Sequence, residues 1–456
     1  MFRPTLIAAA LGTAFLAAGP ARAASDADIE KLRAEFEQKL DALKNSYETR
    51  LKEMESRMAR TDGQAAGAQP GVTPGQTASG AGFNPEISLI LQGAYNKRKE
   101  GERHISGFFP AGEHAHAERG FTLDHTELVF TANIDPYFRG YANFAVADEE
   151  VEVEEAWFQT LGLGGGVTLK GGRFLSGIGY QNEQHPHMWD FADNNLMYSV
   201  LFGEHLIQDG LQLKWVAPTP VFLEFGAEVA RGQFFPGSEA GGDKNGAGAW
   251  AAFAHVGGDV GASNSWRAGL SYLRSKPRDR HTHIEDLNDV EAHTDFSGTS
   301  KAWIADFVWK WAPNGNAKER NFKFQSEYFR RKESGQLLCE DNTADGGACI
   351  GLDDAFRSTQ SGWYAQGVFQ FMPRWRVGYR YDRLSPGSVD FGANNSFLPV
   401  SDYRPVKHSV MADFSPSEFS RFRLQFSRDR SMQGNPDNQV TVQYIHSLGP
   451  HGAHKF

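Results

Sequence analysis

The sequence predicts an all-β transmembrane barrel of about 16 antiparallel strands, preceded by a short N-terminal α-helical coiled coil. Three observations lead there. From residue 83 onward, apolar and polar residues alternate with period two in segments of about ten residues, the length of a tilted membrane strand. The connections between those segments alternate between short turns and long loops. Beyond the extreme N-terminus, no stretch approaches the ~20 apolar residues a membrane helix needs. The mean hydropathy of −0.48 is that of a chain whose lipid-facing residues alternate with polar ones. The counts of Gly (49), Phe (34) and Trp (10) suit short strands, tight turns and interfacial aromatics.

The elements follow in order. Residues 1–23 read as a signal peptide: Arg3, an apolar run over 6–18 too short to span, and the small-x-small site Ala21-Arg22-Ala23. Loss of Arg3 and Arg22 takes the net charge from −10 to −12, which argues against a nucleic-acid partner. In 24–60 the apolar residues Ile29, Leu32, Phe36, Leu40, Leu43, Tyr47, Leu51, Met54 and Met58 are spaced 3-4-4, three times over. That eleven-residue repeat predicts a periplasmic coiled coil, straight or slightly right-handed. The alternative is a lone amphipathic helix, but a narrow apolar stripe needs a partner to bury it. Residues 61–82, rich in Gly, Ala, Gln, Pro and Thr, read as a flexible linker.

The barrel is expected over 83–456. Trp375, Val377, Tyr379 and Tyr381 oppose Arg374, Arg376 and Arg380; Phe422, Leu424 and Phe426 oppose Arg421, Arg423 and Gln425. Sixteen such segments run over 86–96, 120–134, 137–147, 152–162, 167–175, 206–217, 221–231, 248–257, 265–274, 301–312, 320–332, 359–372, 374–384, 405–414, 419–429 and 438–448. Turn chemistry such as Asp135-Pro136, Gly164-Gly165-Gly166 and Pro313-Asn314-Gly315 marks the short connections. The long ones are 97–119, 176–205, 232–247, 275–300, 333–358 and 385–404. A soluble sandwich or propeller would need a second layer over each apolar face, and the chain has nothing left to supply it. Phe456 ends the chain on an aromatic, which would present it to the barrel assembly machinery.

Leader, coiled coil, linker, the opening Phe83-Asn84-Pro85-Glu86-Ile87-Ser88-Leu89-Ile90-Leu91 and the strand pattern together resemble the phosphate-selective porin O/P family. The resemblance implies a trimeric channel in contact with outer-membrane lipid and lipopolysaccharide, with arginines along the pore and lysines near its constriction. By alternation the expected pore-lining residues are Arg173, Lys323, Arg374, Arg376, Arg380, Arg421, Arg423 and Glu127. They form either an anion ladder or ion pairs with wall acids such as Glu127, Glu154, Glu155 and Glu327. Loop 176–205 is best placed to constrict the pore. It departs from the family pattern in having no Lys or Arg, and it carries Glu183, His185, His187, Asp190, Asp193 and Glu204.

Other candidates are weaker. His114-x-His116, His185-x-His187 and His281-x-His283 fall in expected outer loops, and His446, His451 and His454 gather near the C-terminus. Alternate residues of an extended chain can present two imidazoles to one metal, yet no Cys or carboxylate spacing completes such a site. The six acids in 148–155 suit a charged strand rim or a calcium ion. Cys339 and Cys349, in one outer loop of a secreted chain, are expected to form a disulfide. No nucleophile elbow, Walker loop, dinucleotide fingerprint or zinc-protease motif appears, so neither an enzyme nor a cofactor is expected. The expected function is passive diffusion of small hydrophilic solutes, anions first. A zinc-uptake channel and a non-channel barrel that organises the envelope are the alternatives.

Overall fold

The computed structural model describes residues 85–449 except 101–103, 109–118, 124–125 and 148–149. The leader, coiled coil, linker, His114, His116, His451, His454 and Phe456 lie outside them. Sixteen staves form one antiparallel sheet: β1 (Glu86–Lys97), β2 (Gly120–Thr122 and Thr126–Asn133), β3 (Phe138–Ala147), β4 (Glu150–Thr160), β5 (Val167–Leu175), β6 (Ile207–Val216), β7 (Phe222–Ala230), β8 (Ala249–Val260), β9 (Asn264–Ser275 and Arg280–Glu285), β10 (Glu291–Trp311), β11 (Asn321–Cys339), β12 (Leu352–Met372), β13 (Trp375–Asp390), β14 (Val406–Ser417), β15 (Ser420–Arg430) and β16 (Asp437–Leu448). Both pieces of β2 pair with β1, and both pieces of β9 pair with β10. Each stave pairs with the next, and β1 also pairs with β16 in the register Tyr95↔Val442, which closes the sheet. Closure satisfies every edge, the condition for a sheet to live in hydrocarbon.

The faces sort as the alternation expects. Outside, Leu211, Leu213, Trp303, Val410, Leu424 and Val442 are 48–54% exposed; inside, Arg380, Arg421 and Arg423 are 1–2% exposed. Such a surface is stable only against lipid. Aromatic pairs ring both ends. Trp215–Phe225, Trp309–Phe322 and Trp375–Phe414 lie beside the short turns. Trp250–Tyr272–Trp303 and Trp363–Tyr381 lie toward the other end.

Two features differ from the sequence reading. First, much of the expected loops 275–300, 333–358 and 385–404 is strand: β10 and β12 run 21 residues, β11 19 and β13 16. Past the membrane the ladder continues in water, where no face has to be apolar, so the period-two signal ends before the strand does. Second, the inner wall is not uniformly polar. Phe253, Leu273, Ile304 and Phe329 face inward and are buried, because loop 176–205 covers them.

Candidate functional site

Loop 176–205 leaves β5 and folds across the inside of the barrel. At its start, Ser176 Oγ and the Gly177 N–H both donate to Glu228 on β7, at 2.6 and 2.8 Å. The Gly179 N–H donates to Ser271 on β9 at 3.1 Å, and the Tyr180 N–H donates to Glu327 on β11 at 2.6 Å. Gly179 has φ +65°, and a Cβ there would sit 2.3 Å from Glu327 Oε1. Asn182 ties the base of the loop: Nδ2 donates to the carbonyls of Ser176 and Leu206, and Oδ1 accepts from the Leu206 N–H. Glu183 pairs with Lys214 on β6 at 2.7 Å.

The middle of the loop meets an acidic wall. His185 Nδ1 lies 3.3 Å from Glu154 and 3.7 Å from Glu127, and its Nε2 lies 3.0 Å from Glu155. His187 Nδ1 is 2.7 Å from Glu127. Asn143 on β3 donates to Glu127 and Glu154 at 2.9 Å each. Neighbouring residues of a strand normally point apart, but here β4 has a bulge. Asn143 pairs with Glu155 and Phe144 with Val153, so Glu154 is the extra residue and joins Glu155 inside. The acidic run over 148–155 therefore contributes to the interior, not only to a rim.

The next turn meets a basic wall. Asp190 pairs with Lys323 on β11 and with Arg376 on β13 at 3.1 Å. Asp193 pairs with Arg380 on β13 at 2.9 Å and with Lys407 on β14 at 2.5 Å. The wall carries its own acids: Asp413 lies 2.6 Å from Arg376 and 3.6 Å from Arg423, and Asp382 lies 3.0 Å from Arg380. Arg421 and Arg423 also donate to the Trp189 carbonyl, at 3.1 and 2.7 Å. Asp190 and Asp193 lie on the loop, outside the spanning strands. Burial would raise both, but Lys323 and Arg376 around Asp190, and Lys407 and Arg380 around Asp193, hold them well below the usual carboxylate range. Burial likewise opposes charge on His185, and Glu127 with the Glu154 and Glu155 hydrogen bonds overcomes it, raising its pKa well above the ordinary value.

The loop ends in a helix, α1 (Leu196–Phe202), capped by Asn195, whose side chain accepts from the Tyr198 N–H at 3.1 Å. Leu196, Met197, Val200, Leu201 and Phe202 bury themselves on the inward Phe253, Leu273, Ile304, Phe329 and Leu384. The loop is thus fixed by charge to two walls and by apolar packing to a third.

Of the expected pore-lining residues, Glu127, Lys323, Arg376, Arg380, Arg421 and Arg423 point inward. Arg173 does not. It pairs across the strands with Asp209, on the face of Leu211 and Leu213, at 2.7 Å, because it shares the parity of Leu169. Arg374 sits in the turn between β12 and β13 with φ +73°, exposed. The ion partners of Arg376, Arg380 and Arg423 are Asp190, Asp193, Asp382 and Asp413 rather than the wall glutamates Glu127, Glu154, Glu155 and Glu327. Sequence reading passed over Lys407 and Asp413, although both fall on the inward parity of β14. Cys339 and Cys349 are joined, with Cα atoms 5.8 Å apart; Cys339 ends β11 instead of lying in a loop. Glu127, Glu154 and His185 bring one ligand atom each within 4.8 Å, but His185 Nδ1 itself sits against both carboxylates, 3.3 Å from Glu154 and 3.7 Å from Glu127.

A closed 16-stave sheet with an apolar exterior, a charged interior, short turns at one end and mostly longer connections at the other defines a porin-like barrel of the bacterial outer membrane. A protein of Aquifex aeolicus (strain VF5), described as uncharacterized, is 32% identical over 400 residues, which cover 82% of this chain and 80% of the relative. The chain belongs to the same family as that protein. No protein-family model matches it. Among solved structures, a loop-deletion form of OmpT, an outer membrane protein of Vibrio cholerae, aligns with 80% of this chain and 99% of its own (11% identity, TM-score 0.49). The outer membrane channel DcaP of Acinetobacter baumannii aligns with 80% and 97% (13%, 0.47), and an anion-selective porin from Comamonas acidovorans with 80% and 99% (9%, 0.45).

Proposed function

We propose that the protein is a passive diffusion channel for small hydrophilic solutes, constricted by loop 176–205 and weakly selective for anions. The observation that carries this is the loop's double attachment: imidazoles toward the acids of β2 and β4, carboxylates toward the cations of β11, β13 and β14. Acids and bases held on different walls set a transverse field across the passage, which orients and sieves charged solutes. On the basic wall Lys323, Arg376, Arg380, Lys407, Arg421 and Arg423 face Asp190, Asp193, Asp382, Asp413 and, at 3.9 Å from Lys407, Asp429. The excess of one cation, six against five acids, supports a preference for anions on this wall that is only weak. The resemblance to the phosphate-selective porin O/P family makes phosphate one candidate solute, but a constriction loop whose own charges are acids supports general passage over a dedicated phosphate site. Assembly as a homotrimer in lipopolysaccharide-bearing membrane belongs to the same proposal.

Proteoliposomes containing the full chain test it. They should swell in isotonic solutions of small sugars and fail to swell with large ones. Vesicles impermeable to every solute would refute the channel reading and favour an envelope-organising barrel.

A further inference from the structure

The tip of the β9–β10 hairpin stands clear of the constriction. Its register is Arg280↔Phe296, His281↔Asp295, Thr282↔Thr294, His283↔His293, Ile284↔Ala292 and Glu285↔Glu291. Alternation therefore puts His281, His283, His293, Asp295 and Glu291 on one face. The opposite face holds the hairpin down: Ala292 and Phe296 are buried with Leu337, Phe356 and the Cys339–Cys349 pair, and Ile284 packs against them.

We propose that this face binds a divalent transition-metal ion of borderline softness, zinc being the best match, through His281, His283 and His293. The three rings touch pairwise, with centroids 4.9, 5.1 and 4.5 Å apart. One nitrogen from each lies within 4.8 Å of the others. His281 Nε2 and His293 Nδ1 are 3.1 Å apart, close to the ~3.3 Å edge of a tetrahedron with zinc–nitrogen bonds of about 2.0–2.1 Å. Carboxylates hold two of the remaining nitrogens, His281 Nδ1 at 3.0 Å from Asp295 and His283 Nδ1 at 3.2 Å from Glu291, and Glu291 also lies 3.8 Å from His293 Nε2. A carboxylate behind the imidazole fixes ring and tautomer and makes the facing nitrogen a better donor, the usual outer shell of a histidine-bound metal. Glu340 follows β11 directly, its N–H donating to the His293 carbonyl. Its carboxylate groups with His281 and Asp295 on the side away from His283, so a water completes four-coordination of the three imidazoles. The three imidazoles are 41–48% exposed, which leaves the ion a path from outside. Sequence spacing showed His281-x-His283 alone; the third ligand and both supporting carboxylates come from the hairpin register.

The test uses full-length protein in detergent, without a polyhistidine tag, and zinc chloride as the titrant. One zinc per chain is expected by calorimetry, and cobalt(II) should give the intense visible absorption of a tetrahedral site. H281A/H293A should weaken zinc binding at least 100-fold. E291Q/D295N should keep the stoichiometry and weaken affinity about 10–100-fold. Heat-modifiable gel mobility reports that each variant barrel is folded. Zinc affinity unchanged in H281A/H293A, or a cobalt spectrum in the wild-type protein that stays that of the hydrated octahedral ion, would overturn the proposal.

Discussion

Asp193 ties the loop to three strands of the basic wall. It meets Arg380, Lys407 and, at 2.8 Å, Gln425 Nε2. Asp193→Ala removes one of two acids from each cation, leaving Arg380 with Asp382 and Lys407 with Asp429. The loop should loosen, and single-channel conductance should rise with more open-state noise. Conductance equal to wild type would mean that the loop is not the constriction. Gly179→Ala, by contrast, places a Cβ against Glu327 in left-handed backbone; it should disturb the start of the loop and lower the temperature of heat-modified gel mobility. At this scale sequence parity is informative but incomplete. It puts Arg376, Arg380 and Arg423 inside, and applied strictly it would have put Arg173 outside with Leu169. It could not show Glu154 turning inward, since a bulge is a backbone event. Nor could it give the arginines' partners, because Asp190 and Asp193 arrive on a loop from the far side of the sequence.

Among elements, loop 176–205 has a defined response to pH. Asp190 and Asp193 have depressed pKa values, so their contribution to docking is complete above the ordinary Asp value of about 4 and is lost only as pH falls through the lowered values. His185 has a raised pKa, so its contribution is complete below the ordinary His value of about 6.5 and is lost as pH rises through the raised one. Conductance should therefore stay flat between about pH 5 and 6.5 and increase on the alkaline side. An increase centred on pH 5 would contradict this assignment of charges. The extended β10–β13 wall makes a second case. Cys339 pairs with Thr294 on β10 and with Leu352 on β12, so the ladder survives without the disulfide. C339S/C349S should leave the barrel folded while losing about 2–3 kcal/mol locally, read as faster amide exchange over 337–352 and nowhere else. These extensions were not legible in sequence, where a strand is recognised by the lipid it faces; the sixteen membrane segments were, because each has to show lipid an apolar side.

For the whole molecule, the closed sheet was legible from the count of alternating segments and from the order of short and long connections. The apolar third wall was hidden, because Phe253, Ile304 and Phe329 depart from alternation only where α1 covers them. We propose that the chain associates through the eleven-residue repeat of 24–60, which lies outside the described residues. L32D/L43D/M54D should convert a cross-linkable trimer to smaller species without altering the barrel's gel mobility; trimers that persist unchanged would move the contact to the barrel wall. Solutes are proposed to cross this barrel past the loop. The most direct test of that passage is a single-channel recording of the wild-type chain in a planar bilayer under a salt gradient. Discrete openings are expected, with a zero-current potential on the anion side at low salt that shrinks as salt screens the walls. A membrane that stays silent, or a clear cation preference at low salt, would contradict the account.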